Sequence, residues 1–400
     1  MRKTNLRFSR PFSGITCHES IRISLLALTL LALLCGTLAA QDDTTELLKA
    51  LTEAAGPTGY EDPVRKIMAD KMSPLADSVA YDAVGSIIAT QGKTGPRIMI
   101  DAHMDELGAL VRHITPEGFI TVQTLGYWLD EALVGQRWTI EGSKGPVKAV
   151  SGLRDAHVVA DADLGKLLDT HETLFLDVGA KSEEEARRMG IQPGDPIAPD
   201  STFEILNGTR NYVGKAFDDR AGCAILIELM KRLAHAEHPN QLFYVGTVQE
   251  ETNSRGAHAS SDLIKPDVAI VLEAGITHDT PVSKPDEAQE VLGGGPGIFL
   301  FNSSEQPSRK FVALARETAH QKSIPLQEEL VLNYGDDAVE IQKANGGVPT
   351  ITLTVPTRYT HAHNGIINRD DYDRTVELML ALIQRLNAAT VKQLRNFATQ

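Results

Sequence analysis

Hydrophobic and polar positions change rhythm three times along this chain. Residues 23–34 read ISLLALTLLALL, an apolar run interrupted only by Ser24 and Thr29. From residue 44 the spacing becomes that of amphipathic helices, over Thr44–Ala55 and again over Asp62–Met72. The RIMIDA run at Arg97–Ala102 predicts a short buried strand ending at His103. Between Gly108 and Pro199 glycine and proline recur. Short alternating runs there (Gly118–Leu125, Arg137–Glu141, Val147–Ser151) predict strands joined by turns. The α/β rhythm then returns. Helices are predicted over Asp219–Ala234, Ser308–His320 and Asp337–Ala344, with one long helix over Tyr372–Leu394. Strands are predicted over Gln241–Gln249, Asp267–Leu272 and Ile351–Val355. Strands alternating with helices imply an α/β fold with a mainly parallel, mixed sheet covered by helices on both faces. Residues 108–200 form a small β-rich insert in this reading. It divides the main domain into a first part, 41–107, and a second, 201–400.

The first 40 residues stand apart. Arg2, Lys3, Arg7, Arg10 and Arg22 precede or flank the apolar run, and the small residues Gly36, Ala39 and Ala40 follow it. That is the layout of a cleavable signal peptide, and it predicts an exported, periplasmic or secreted protein. The apolar run is shorter than the roughly 20 residues a membrane span requires, so no integral span is expected after cleavage. Cys35 keeps a lipoprotein reading open.

Composition narrows the class. With 42% hydrophobic and 23% charged residues, the chain is ordinary globular protein. Its formal net charge is −14, and the leader holds five basic residues and one acidic, so the remainder carries −18. Such a balance argues against nucleic acid and anionic membranes as partners. Cys17 and Cys35 lie in the leader, which leaves Cys223 alone and no intrachain disulfide in the mature chain.

Five segments place histidines or carboxylates where apolar runs end. His103 follows the first strand, with Asp105 two residues on to hold its ring. Asp218 opens a helix, where it could equally be an N-cap. Glu250 and Glu251 end a strand side by side, a costly pair to bury unless something positive binds them. Glu273 follows Val271-Leu272. His361 follows the last strand, and His363 leaves open which histidine is the ligand. Two histidines with an excess of carboxylates form a donor set suited to zinc, cobalt or manganese. A bridging acid can hold two such ions about 3.5–4 Å apart.

The order of these motifs, with Gly214-Lys215-Ala216-Phe217-Asp218-Asp219-Arg220, Gly135-Gln136-Arg137, Gly293-Gly294-Gly295-Pro296 and Gly335-Asp336-Asp337-Ala338, resembles the tetrahedral and glutamyl aminopeptidase family. Some members of that family carry the name endoglucanase M. The likeness spans most of residues 44–390. It implies a metallopeptidase core with a PDZ-like insert and two divalent ions, most simply zinc. His103 and Glu273 would hold one ion, Glu251 and His361 the other, and Asp218 both. Glu250 would be the general base that activates a metal-bridged water, and Asp105 would orient His103. The implied activity is removal of N-terminal residues from peptides by a homo-oligomer. A carboxypeptidase or amide deacylase on the same site is the alternative, and an inactive binding protein is the alternative of another class. Two stretches depart from the family pattern: Thr252-Asn253-Ser254, and Ala362 to Gly365 after His361.

Overall fold

A computed structural model describes residues 43–152, 157 and 174–398. The leader and its apolar run lie outside these residues. The chain partitions into residues 1–47 and 48–400. Of the first unit only residues 43–47 are described, and they are helical. No helix among the described residues is long and apolar enough to cross a membrane.

The second unit begins its sheet with β1 (Ser78–Tyr81), β2 (Ile87–Gln91) and β3 (Arg97–His103). The chain then leaves for β4 (Gly108–Ile114), β5 (Ile120–Leu125), β6 (Arg137–Gly142), β7 (Gly145–Ser151), β8 (Phe175–Asp177) and β9 (Pro196–Pro199). These six close on themselves as a barrel in the order β4-β5-β8-β7-β6-β9. Closure pairs every strand edge. It encloses a core of Val111, Ile120, Trp138, Ile140, Leu176 and Ile197, among others.

The sheet resumes with β10 (Glu204–Ile205), β11 (Asn211–Gly214), β12 (Gln241–Thr247), β13 (Val268–Ile276), β14 (Gly297–Phe301), β15 (Gln327–Leu330), β16 (Thr350–Arg358) and β17 (Gly365–Asn368). Its main order is β1-β2-β12-β3-β13-β16-β17-β11-β10, with β14 and β15 branching from β16. The four central strands, β12, β3, β13 and β16, are parallel neighbours. The flanking pairs β1–β2, β2–β12, β16–β17 and β17–β11 are antiparallel. The sheet is therefore mixed, and the expected parallel character belongs to its centre and to the branch pair β14–β15. Helical crossovers produce parallel strands, and helix Arg309–Lys322 joins that branch pair in this way.

Helix Phe217–Leu233 packs along β3 and β13 and is buried nearly all round. Ala257 and Ile264 of helix Arg255–Ile264 and Ala338 and Ile341 of the short helix Ala338–Ile341 share a core with Met99, Phe243, Val245, Ala269 and Val271. Two sequence readings are corrected. The strand predicted to reach Gln249 stops at Thr247, because Gln249 takes a left-handed conformation (φ 58°) that no strand accommodates. The single C-terminal helix is two, Arg369–Arg385 and Ala388–Arg395. Leu386 leaves helical geometry, and the Asn387 side chain accepts the Ala389 and Thr390 amides, capping a new start.

Candidate metal centre

The parallel centre determines where the polar residues collect. In register, Thr247 lies opposite His103 across the β12–β3 pair, and Val271 lies opposite Asp101 across β13–β3. His103, the turn after β12, Glu273 and the turn after β16 thus emerge at one edge. This is the C-terminal edge, where open parallel sheets gather functional groups. Asp218 arrives there from the head of the helix that precedes β12.

Two triads result. His103, Asp218 and Glu273 each offer a ligand atom within 4.8 Å of the others, and so do Asp218, Glu251 and His361. Asp218 belongs to both. Its Oδ1 lies 3.0 Å from His103 Nε2 and its Oδ2 3.4 Å from His361 Nε2. Glu273 Oε1 is 3.9 Å from His103 Nε2, and Glu251 Oε2 is 3.7 Å from His361 Nε2. In each imidazole the other nitrogen faces a carbonyl. His103 Nδ1 is 3.1 Å from the Asp105 carbonyl and 3.6 Å from its carboxylate, and His361 Nδ1 is 2.6 Å from the Tyr127 carbonyl. Nδ1–H donation at both rings aims each Nε2 at the carboxylates, the orientation a metal ligand needs.

Asp218 is not the helix cap it resembles in sequence. Its neighbour does that work: Asp219 Oδ1 accepts the Gly222 amide at 2.9 Å, and a Cβ on Gly222 would meet the Asp219 carboxylate at 2.2 Å. Capping by Asp219 leaves the Asp218 carboxylate free. The turn that delivers it is tied down by a buried ion pair. Lys215 Nζ donates to both Glu106 oxygens, at 2.5 and 2.7 Å, and Arg220 lies 3.6 Å from the same carboxylate.

Asp105 organises the opposite wall. Its Oδ1 accepts the Glu250 amide at 3.0 Å and its Oδ2 the Glu251 amide at 3.1 Å, and it also accepts the Thr58 hydroxyl. Burial works to raise its pKa, but hydrogen bonds from His103, Thr58 and the Glu250 amide outweigh that and hold it below the usual range. Adjacent residues in this turn diverge: Glu251 joins the second triad, while Glu250 joins neither. The carboxyl of Glu250 lines a cleft of about 670 Å³ with Tyr127, Asp218, Glu251, Glu273 and Tyr334.

Electrostatics bear on the fit of a cation. Burial pushes the carboxyls of Glu250 and Glu273 well above the carboxylate range and that of Glu251 to about 7. Burial works to lower the pKa of both triad histidines. Asp105 and Asp218 nonetheless raise His103, and Glu251 and Asp218 raise His361 to about 9. Five clustered carboxyl groups, Asp105, Asp218, Glu250, Glu251 and Glu273, thus meet only two imidazoles. Buried carboxylates of this number are stable with cations among them, and the mixed oxygen and nitrogen donors suit divalent ions.

Several functional contacts were not legible in sequence. Tyr334 donates to Glu273 Oε2 at 2.8 Å; its only sequence signal is adjacency to the Gly335-Asp336-Asp337 motif. The two candidate histidines separate completely. His361 enters the cleft, whereas His363 is buried between Trp128 and Trp138, with ring centroids 5.6 and 4.3 Å away. Burial lowers the pKa of His363 to about 4, so it stands there as the neutral ring.

An α/β sheet with two triads at its carboxyl edge that could each hold a cation has the architecture expected of a metallohydrolase. The family model for M42 glutamyl aminopeptidases matches residues 85–378, and a second model, AMPT, matches residues 42–68. The glutamyl aminopeptidase of Lactococcus lactis subsp. cremoris is 32% identical, over 88% of this chain and 98% of its own. The lysyl aminopeptidase of Pyrococcus furiosus is 33% identical over 85% and 97%. Among solved structures, a TET aminopeptidase from a marine sediment Thaumarchaeota archaeon superposes with a TM-score of 0.86. It is 38% identical and covers 89% of this chain and 99% of its own. The TET1 peptidase of Pyrococcus horikoshii, which assembles into a tetrahedron or a large octahedral shell, gives 0.77 at 29% identity over 85% and 99%. The chain belongs to the M42 glutamyl aminopeptidase family. It is a metal-dependent aminopeptidase, a hydrolase of peptides; neither the carboxypeptidase, the deacylase nor the inactive binding protein is favoured by these relatives.

Proposed function

We propose that the cleft removes N-terminal residues with two divalent ions, most simply zinc, shared by Asp218. His103 and Glu273 would hold one ion with it, and Glu251 and His361 would hold the other. The observation that carries this reading is the pair of triads with one common carboxylate. When bound, such a pair of ions lowers the pKa of water and polarises a carbonyl.

The chain's own groups do the rest. Glu250 has a carboxyl in the cleft and no ligand duty, so it takes the proton of the attacking water at its carboxylate and returns it to the departing amine. Asp105 anchors the backbone of Glu250 and Glu251, which keeps base and ligand apart. Tyr334 pins one oxygen of Glu273 and leaves the other toward His103. The remaining negative character of the cleft favours a substrate's free ammonium, which selects the N-terminus. Export by the basic and apolar leader, an insert domain over 108–200 of PDZ-like kind, and assembly into a closed homo-oligomer like the TET relatives complete the proposal. Each rests on sequence pattern or on similarity.

The test is metal counting paired with activity. Full-length protein, stripped and reloaded, is assayed on free and N-acetylated aminoacyl anilides. Two ions per chain, chelator-sensitive cleavage and resistance of the acetylated substrates are expected. Equal cleavage of acetylated substrates would overturn the N-terminal reading, and one ion per chain the shared-Asp218 reading.

A further inference from the structure

The loop that carries His361 is under backbone strain that its own sequence does not relieve. Tyr359 and His361 both hold left-handed conformations, φ 60° and 58°, without being glycine. Such a conformation is unfavourable for a residue with a Cβ and persists only where its surroundings over-determine it. The turn is partly open to solvent, with Tyr359 54% exposed, so its own packing is thin. Its support comes from the barrel. The Tyr127 carbonyl, on the segment after β5, receives His361 Nδ1–H. Two residues on, the His363 ring enters an aromatic slot. It meets Trp138 edge-on at 87° and Trp128 at a tilt, and the two tryptophans lie 5.6 Å apart. Trp128 is itself held, its indole N–H shared between the Gly108 and Leu125 carbonyls at 3.0 and 3.1 Å. His363 is 2% exposed and Trp138 1%. A third link joins Ser201, just past β9, to the Asn364 side chain at 2.6 Å.

We infer that His363 is a positioning residue: locked between Trp128 and Trp138, it makes the barrel hold the turn 359–364 so that His361 presents Nε2 to Asp218 and Glu251. The proposal rests on the shared-metal reading above. It assigns the barrel a task at the centre besides any contact with substrate. The lock is one of shape. The slot is aromatic on two sides, and edge-to-face packing against tryptophan is available to any flat ring of this size.

Cobalt tests it, because visible absorption of bound cobalt(II) reports the ligand field directly, whatever the catalytic rate. The stripped full-length chain and the variants His363→Ala and His363→Phe are titrated with cobalt(II), with thermal melting followed separately. The alanine variant is expected to bind one of two cobalt equivalents about tenfold more weakly, the size typical of outer contacts to a metal ligand, with an altered spectrum. The phenylalanine variant should restore both. Two unchanged affinities and an unchanged spectrum for alanine would overturn the proposal, as would a phenylalanine variant no better than alanine. If the alanine chain does not fold, Trp138→Phe serves instead. Weakening of the same equivalent supports the lock and wild-type binding refutes it. Failure of the wild-type chain to bind cobalt at all would sink the metal-centre reading itself, a result distinct from failure of the lock.

Discussion

Replacing Glu250 by glutamine tests the proposed division of the turn into a base and a metal ligand. The two glutamates of the turn have different duties in the geometry. Glu251 Oε2 lies 3.7 Å from His361 Nε2 and within the second triad, while Glu250 Oε1 accepts from Ser254 Oγ at 3.5 Å and belongs to neither triad. The backbone of Glu250 is fixed by Asp105 through its amide, and a side-chain change leaves that bond intact. Glutamine keeps the shape and the hydrogen-bonding oxygen but cannot take a proton. A general base contributes about 10²–10⁴-fold to rate, so kcat/KM should fall by that factor, roughly 3–5 kcal/mol in barrier height. Burial disfavours the charged form of Glu250, so the neutral amide should not lower the melting temperature. The assay is hydrolysis of a free aminoacyl anilide, with metal per chain measured on the same sample. Activity within tenfold of wild type at full metal content would refute the assignment. Loss of activity together with one metal ion would show that Glu250 is a ligand, and would pass the base to Glu251.

Three further outcomes follow from the geometry. Tyr334→Phe removes the hydroxyl bonded to Glu273 and should weaken metal binding about 10- to 100-fold. A chelator competition reads this, and at saturating metal most of the activity should return. Lys215→Met strands the buried Glu106 beside Arg220 alone and should cost about 3 kcal/mol in urea unfolding. Adding Glu106→Gln should recover more than half of that, and strict additivity would show that the pair is not coupled. Glu329 and Glu290 form a second buried acid pair away from the cleft, and burial raises Glu329 to about 7. The folded chain therefore binds more protons than the unfolded one between the ordinary value of 4.5 and about 7, so its stability falls as pH rises through that window. Glu329→Gln removes the share of this dependence that belongs to Glu329. Its melting temperature should gain on the wild type from pH 5 to pH 8, and a constant difference would refute the buried-acid account.

How much of this was legible along the chain depends on the range of the interaction involved. His103, Glu250, Glu251 and Glu273 stand out in sequence because each is polar at or near the end of an apolar strand, a local contrast that needs no partner. The barrel's strands are local too, since alternation and turn residues mark them one by one. The break in the C-terminal helix at the Asn387 cap is local as well, but apolar spacing continues across it, so the pattern read as one helix. The sequence therefore determined the elements, the polar ends of the strands and the family pattern. Tertiary structure decided which of two adjacent candidates acts. Asp219 caps the helix and frees Asp218 because the helix head is turned toward His103, 115 positions away in the chain. His361 takes the cleft and His363 the barrel because two tryptophans from the insert wait for the second ring. The order of the sheet, the closure of the barrel, the Glu106–Lys215 pair and the Tyr334 contact are likewise long-range pairings. No periodicity encodes them, because the energy that selects them exists only once distant strands have come together.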